Sequence, residues 1–178
     1  MNPFAESAGD FGEAIEYLAK FIEHVAASTR ESGVAQEADA AASPLADDSA
    51  DLFFTDPPYY DAIPYHHLSE FFALWLGSSG ILSLDVEAGL KRRAEECIVD
   101  VGLGKSREFF ETKMTKALRE GRRVAKPSAV GVIVFGHKST AGWEAQLGAM
   151  LEAGWIITSS WPIDTERSGR LRAQDSAA

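Results

Sequence analysis

Cysteine is almost missing from this chain: Cys97 is the only one among 178 residues. A lone thiol excludes an internal disulfide, and with no second cysteine beside it a zinc ribbon cannot begin. Its simplest reading is a small, half-buried side chain. Long apolar runs are missing as well. No stretch approaches the roughly 20 residues that a membrane helix requires, and the first residues lack a basic segment followed by an apolar one. The expectation is a soluble, cytoplasmic protein. None of His66, His67 and His137 falls at a spacing that gathers cysteine or carboxylate into a ligand set, so no metal is expected.

Positive charge is scarce. Lysine and arginine number 17 against 27 acidic residues, a formal net charge of -10. That balance excludes a protein that grips nucleic acid over its whole surface, because phosphate contacts need basic side chains. The deficit is uneven. Between Met1 and Asp61 only Lys20 and Arg30 are basic, whereas Lys105, Arg107, Lys113, Lys116, Arg119, Arg122, Arg123 and Lys126 gather further on. Two readings of that group stay open: a face toward a phosphate backbone, or solvated helix faces paired with Glu108, Glu111 and Glu120.

The hydrophobic share of 46% is ordinary for a globular protein, and the length suits one domain over residues 1–178. Phe11, Ile15, Leu18, Phe21, Ile22 and Val25 recur at helical spacing and predict an amphipathic helix over 11–27. A surface crossing follows, with a strand-like stretch near Gly33–Glu37 and a turn at Asp47-Asp48-Ser49. Residues 51–55 read as a short buried strand stopped by Pro57 and Pro58. A helix is predicted over 65–77, a loop with short helical pieces and a substrate-facing role over 79–105, and a long helix over 106–124. An apolar strand over 129–135, a helix over 140–153 stopped at Gly154 and a strand over 155–161 complete the pattern. Strand, helix, strand, helix, strand predicts a layered α/β sheet.

Chemistry concentrates in the loop over 55–65, where Thr55, Asp56, Pro57, Pro58, Tyr59 and Tyr60 follow the first strand. Ligand sites of open α/β sheets lie beyond the carboxyl ends of strands. Methylating an exocyclic amino group is hard because its lone pair is delocalised into the ring. Acceptors for the amino hydrogens make that nitrogen more tetrahedral and nucleophilic. An acidic side chain supplies one acceptor, and a backbone carbonyl held by two consecutive prolines with fixed φ supplies another. An aromatic ring that stacks on the extruded base adds a contact worth about 1–3 kcal/mol. A rigid strand-to-helix turn with an aspartate cap is the plainer alternative.

Asp-Pro-Pro-Tyr is the signature loop of DNA amino-methyltransferases, and the likeness reaches further. Residues 56–76, with Leu68, Ser69, Glu70, Phe71, Phe72, Trp75 and Leu76, resemble the large adenine-specific DNA methylases of the zinc-ribbon type. Similar matches run through Arg123–Pro127, Phe135–Thr140 with Trp143 and Glu144, Ser160–Ile163 with Thr165 and Glu166, and Arg170–Arg172. Asn2–Phe4 and Gln36–Ala40 also fit. The resemblance implies a Rossmann-like class I methyltransferase sheet, S-adenosylmethionine as cofactor, adenine in DNA as substrate and base flipping. By carry-over, Asp56, Pro57, Pro58 and Tyr59 are catalytic, and Asp39 with Asp56 would contact the cofactor. Tyr60, Tyr65, His137 and Lys138 would face the substrate. The cytosine amino group is chemically close, and the loop alone does not separate the two bases.

The family's Gly-rich cofactor loop after a first strand is absent, because Gly9 and Gly12 do not follow a strand. The chain therefore reads as part of a longer or split methyltransferase, its first strands and last strand missing. The accompanying expectation is weak cofactor binding alone and, as an alternative role, a non-catalytic subunit whose partner polypeptide carries the Gly-rich half.

Overall fold

A computed structural model of the chain describes residues 10–28, 31–80 and 85–163, apart from the side chains of Val86 and Ala88. The motif residues Asn2, Pro3, Phe4, Thr165, Glu166, Arg170, Leu171 and Arg172 lie outside these. The chain divides into two compact units, Met1–Glu37 and Ala38–Ala178.

In the first unit, α1 spans Phe11–Ser28, as its periodicity predicts, and the carboxylate of Asp10 accepts the Glu13 N–H at 2.8 Å. It buries none of its residues. The stretch 33–37 is not a strand.

The second unit is mixed α/β. Its elements are β1 (Ala50–Thr55), α2 (Tyr65–Ser78), α3 (Val86–Glu95), a 3-10 turn (Val101–Leu103), α4 (Arg107–Val124), β2 (Ala125–Ile133) and α5 (Thr140–Glu152). Five α-helices and a two-stranded parallel sheet are thus present among the described residues. No described helix is long and apolar enough to cross a membrane. Parallel strands cannot be joined by a hairpin, so the chain crosses through α2, α3 and α4 between them.

Local chemistry explains where the long helices begin. Ser106 accepts the Phe109 N–H at 3.2 Å and Ser139 the Gly142 N–H at 3.2 Å, each satisfying a donor that the first helical turn leaves orphaned. Past α5, Gly154 takes φ 88°, a left-handed conformation that disfavours any side chain and ends the helix. Leu52, Phe53, Phe54 and Thr55 pair with Val130, Gly131, Val132 and Ile133, and the Val134 N–H extends the ladder to the Thr55 carbonyl at 2.9 Å.

The core lies on one face of this sheet. Phe110, Met114 and Leu118 of α4 meet Ala145, Ala149 and Ala153 from α5 and its end, with Tyr60 completing the cluster and Phe53, Ile133 and Trp155 against it. Gly121 lets α4 approach the sheet, since a Cβ there would fall 2.5 Å from the Phe53 ring. On the opposite face Leu52, Phe54 and Val130 remain more than half exposed. The expectation of buried strands is therefore corrected: among the described residues of this unit, helices cover one face of the sheet.

Two further expectations change. Residues 155–161 form no strand, although the composition suits one; no described strand runs beside them to complete a ladder. Trp155 instead turns inward, stacks on Phe53 at 5.5 Å and donates its indole N–H to the Leu118 carbonyl at 2.9 Å. Residues 79–105 contain α3 and the 3-10 turn, the short helical pieces expected of that loop. The apolar stripe of α2 exists but is uncovered, with Phe72 63% and Trp75 68% exposed, and only His66 of that helix is buried.

Candidate functional site

The loop after β1 is built by residues that cannot extend the sheet. Pro57 and Pro58 have no N–H to donate, so pairing ends and the chain turns. Pro57 is buried, while the Asp56 carboxylate is exposed at the strand tip. Asp56 Oδ1 accepts the Tyr59 hydroxyl at 2.7 Å, and the half-buried Tyr59 ring meets the edge of Phe135 at 5.4 Å. Burial first, and then this hydrogen bond to a carboxylate, push the Tyr59 phenol up to about 12, so it stays protonated and donating at neutral pH.

Tyr60 departs from the substrate-facing role expected of it. Its side chain is 8% exposed and packs edge-on against Phe110 at 5.2 Å, and its carbonyl accepts the Val99 N–H at 3.0 Å. Its φ of 54° is a left-handed conformation rare for an aromatic residue. Such a conformation costs about 1–3 kcal/mol and persists only where surrounding contacts over-determine it.

A cleft of about 520 Å³ opens beside β1. The exposed Asp39 and Asp56 line it together with Pro57 and Pro58, and Phe53, Cys97, Met114 and Leu118 are among its apolar lining residues. Asp39, far from the loop in sequence, is thereby brought to the same cavity as Asp56; its carboxylate also accepts the Ala41 N–H at 2.8 Å. Tyr59, Tyr60, Tyr65, His137 and Lys138 are not among the lining residues. Lys138 is exposed, whereas Tyr65 is 37% exposed and its phenol is raised by this partial burial and pulled partly back by a hydrogen bond with the Tyr59 backbone. His137 is buried, its ring hydrogen-bonded within the protein.

One supporting cluster was not legible in the sequence. The Glu96 carboxylate takes the His66 backbone N–H at 3.1 Å and pairs with the His66 ring, while the Lys105 ammonium donates to the carbonyls of Arg93 and Glu96. Lys105 is 3% exposed, and its pKa is lowered, chiefly by burial. It is therefore removed from the candidate phosphate-facing group. These contacts hold residues 96–99 where Val99 can meet Tyr60. Others of that group have carboxylate partners: Arg107 with Glu111, Lys113 with Glu95, Arg119 with Glu152, Arg123 with Glu120 and Asp47, and Lys126 with Asp51. The paired reading of these cations fits this pattern better than a free phosphate-facing stripe.

Cys97 is half-buried, as its sequence context predicts, and burial pushes its thiol up to about 12. The thiolate is the reactive form, so alkylation of the folded chain between pH 7 and 9 is expected to run far slower than in the urea-unfolded chain. Because the unfolded thiol ionises near about 8.5, the folded chain holds the extra proton between there and about 12, and stability falls as pH rises across that window. Timed thiol labelling checks the first statement and pH-dependent denaturation the second.

No group of three or more potential metal-ligating side chains is present among the described residues. No family model, no curated protein and no solved structure matches this chain.

Proposed function

We propose that the chain is the catalytic part of an S-adenosylmethionine-dependent DNA methyltransferase acting on the exocyclic amino group of adenine, with cytosine as the alternative base. One observation carries this reading: Asp-Pro-Pro-Tyr stands at the carboxyl tip of a parallel strand, with the exposed Asp56 lining a cleft that Asp39 also lines. The order β1, crossover helices, β2, α5, with helices on one sheet face, agrees with an incomplete Rossmann-like methyltransferase sheet. The choice of adenine rests on the resemblance of the motifs.

The residues fit the cofactor in kind. The cleft lies within the roughly 300–1,000 Å³ range of small-molecule sites, and Asp39 offers an acceptor suited to an adenosine moiety. When bound, S-adenosylmethionine supplies an electrophilic methyl group. The chain's part is orientation: Asp56 and the Pro57 carbonyl accept from the two amino hydrogens and turn the nitrogen lone pair out of the ring plane.

In the structure Asp56 Oδ1 is engaged by the Tyr59 hydroxyl, so a bound base competes for that oxygen or uses the second one. This separates two variants. Tyr59→Ala is expected to weaken DNA binding by about 1–3 kcal/mol, the worth of a base stack, whereas Tyr59→Phe keeps the ring, frees the carboxylate and retains binding within about threefold. Fluorescence with 2-aminopurine at the target position reads the difference.

The uncovered surfaces favour a second reading, in which a partner polypeptide carries the Gly-rich cofactor half. A two-stranded sheet alone is marginal, β1 has no described neighbour on its second edge, and Leu52, Phe54 and the stripe of α2 face solvent. Calorimetry with S-adenosylmethionine separates the readings. Binding by the chain alone supports autonomous catalysis, and binding only after a Gly-rich half is supplied supports the split form. Labelled cofactor offered with unmethylated DNA, RNA and protein then tests the substrate class; label on RNA or protein alone would refute the DNA assignment.

A further inference from the structure

The loop that presents Asp56 is tied to the start of α5 by groups that the catalytic reading leaves unused. His137 is 6% exposed, and its Nε2 lies 2.8 Å from Asp61 Oδ1. Its Nδ1 is met by the Ser139 backbone N–H at 3.0 Å and by Ser139 Oγ at 2.9 Å. A backbone N–H can only donate, so Nδ1 is the acceptor and the ring proton sits on Nε2, directed at Asp61. Neither nitrogen is left for a substrate, which moves His137 away from the contact role expected of it.

The surroundings are shaped for this ring. Gly142 occupies the first turn of α5, where glycine costs about 1 kcal/mol relative to alanine. A Cβ at that position would lie 2.4 Å from His137 Nδ1, so the glycine makes room for the imidazole. The Trp143 indole donates to the His137 carbonyl at 2.8 Å and fixes the backbone beneath it. On its other side the ring packs edge-on against Tyr60 at 5.5 Å, the residue with φ 54°.

We propose that Asp61, His137 and Ser139 form a clamp, seated in the space left by Gly142, that positions the Asp56–Tyr60 loop against the N-terminal turn of α5. Its importance for methyl transfer rests on the reading of that loop given above; its existence does not. His137 is a positioning residue, acting on the base-holding groups through Asp61 and Tyr60. The strained turn at Tyr60 is held by the His137 ring, by Phe110 and by Val99, and the Asp61 link closes the segment immediately after it.

Amide hydrogen exchange of the full chain tests this without turnover. The reporters are the N–H groups of Tyr60 and Ala62, bonded to the carbonyls of Pro58 and Tyr59 at 3.2 and 2.8 Å. Asp61→Ala removes the acceptor, and Gly142→Ala keeps every clamping group while filling the space the ring needs. Both are expected to speed reporter exchange by about tenfold, the scale of one lost charge-assisted hydrogen bond, with Met114 and Leu118 of α4 unchanged. Asp61→Asn, which still offers an oxygen to Nε2–H, is expected to restore exchange to within about threefold of the parent. Nitrogen-15 shifts should show His137 protonated on Nε2 in the parent chain. Unchanged reporters in both disruptive variants, or equal acceleration in α4, would overturn the clamp. Selective loosening combined with no labelling of DNA, with or without a Gly-rich half, would retain the clamp and remove the methyltransferase reading.

Discussion

Asp56→Ala is expected to lower methyl transfer by about 10²–10³-fold, the usual cost of removing one preorganised hydrogen-bonding group from a reacting centre. The effect should be catalytic in origin because little of the fold depends on this carboxylate. It is exposed, and its described hydrogen bond is with the neighbouring Tyr59 hydroxyl. Surface substitutions of that kind shift stability by no more than about 0.5 kcal/mol. Asp56→Asn keeps an oxygen acceptor without its charge, and neutral acceptors bond roughly half as strongly, so its rate should fall between alanine and the parent. The measurement is transfer of labelled methyl to DNA under whichever condition, chain alone or with the Gly-rich half, gives parent activity. Parent-like transfer by Asp56→Ala would mean that the carboxylate does not touch the reacting amine.

Phe110→Ala is expected to cost about 3–5 kcal/mol of folding stability, the range for truncating a buried phenylalanine. Phe110 is fully buried and joins the α4–α5 core to Tyr60 by the edge contact at 5.2 Å. Many of the residues around it are alanines, which cannot extend to fill the space its ring would vacate. The loss should therefore lie toward the upper part of that range, and Phe110→Leu, which retains most of the volume, should lose far less. Urea denaturation of the three chains measures this. The same substitution removes one support of the strained turn at Tyr60, so exchange at the Ala62 N–H should rise more than overall destabilisation alone accounts for. A loss below about 1 kcal/mol would show that α4 and α5 are not packed through this ring.

The clamp and the core act on the same short segment from opposite sides. His137, just before α5, holds it through Asp61, Phe110 presses on Tyr60 from α4, and Val99 bonds to the Tyr60 carbonyl. Residues 96–99 are in turn fixed by Glu96 and Lys105. If the loop aligns a reacting amine as proposed, such support bears on rate, because misplacement by about 1 Å can cost 10²-fold.

The sequence alone determined the local elements. Apolar residues repeating every three or four positions marked α1, α2, α4 and α5 within a residue or two, because helical periodicity is a property of neighbouring residues. Gly154 marked the end of α5 for the same local reason, and two prolines after Thr55 located the loop because neither can donate to a ladder. What lay beyond local chemistry was decided by tertiary structure. Residues 155–161 have the composition of a strand, yet a strand exists only beside a partner, and Trp155 found Phe53 instead. Lys105 is a surface cation by composition and buried in fact, because carbonyls from the last turn of α3 and from the residue just after it receive its ammonium. His137 could be placed after an apolar strand, but its tie to Asp61 spans 76 positions of chain and depends on how the loop after β1 meets α5. Periodicity records which side chains share a face; only packing decides which face is covered and which polar groups meet.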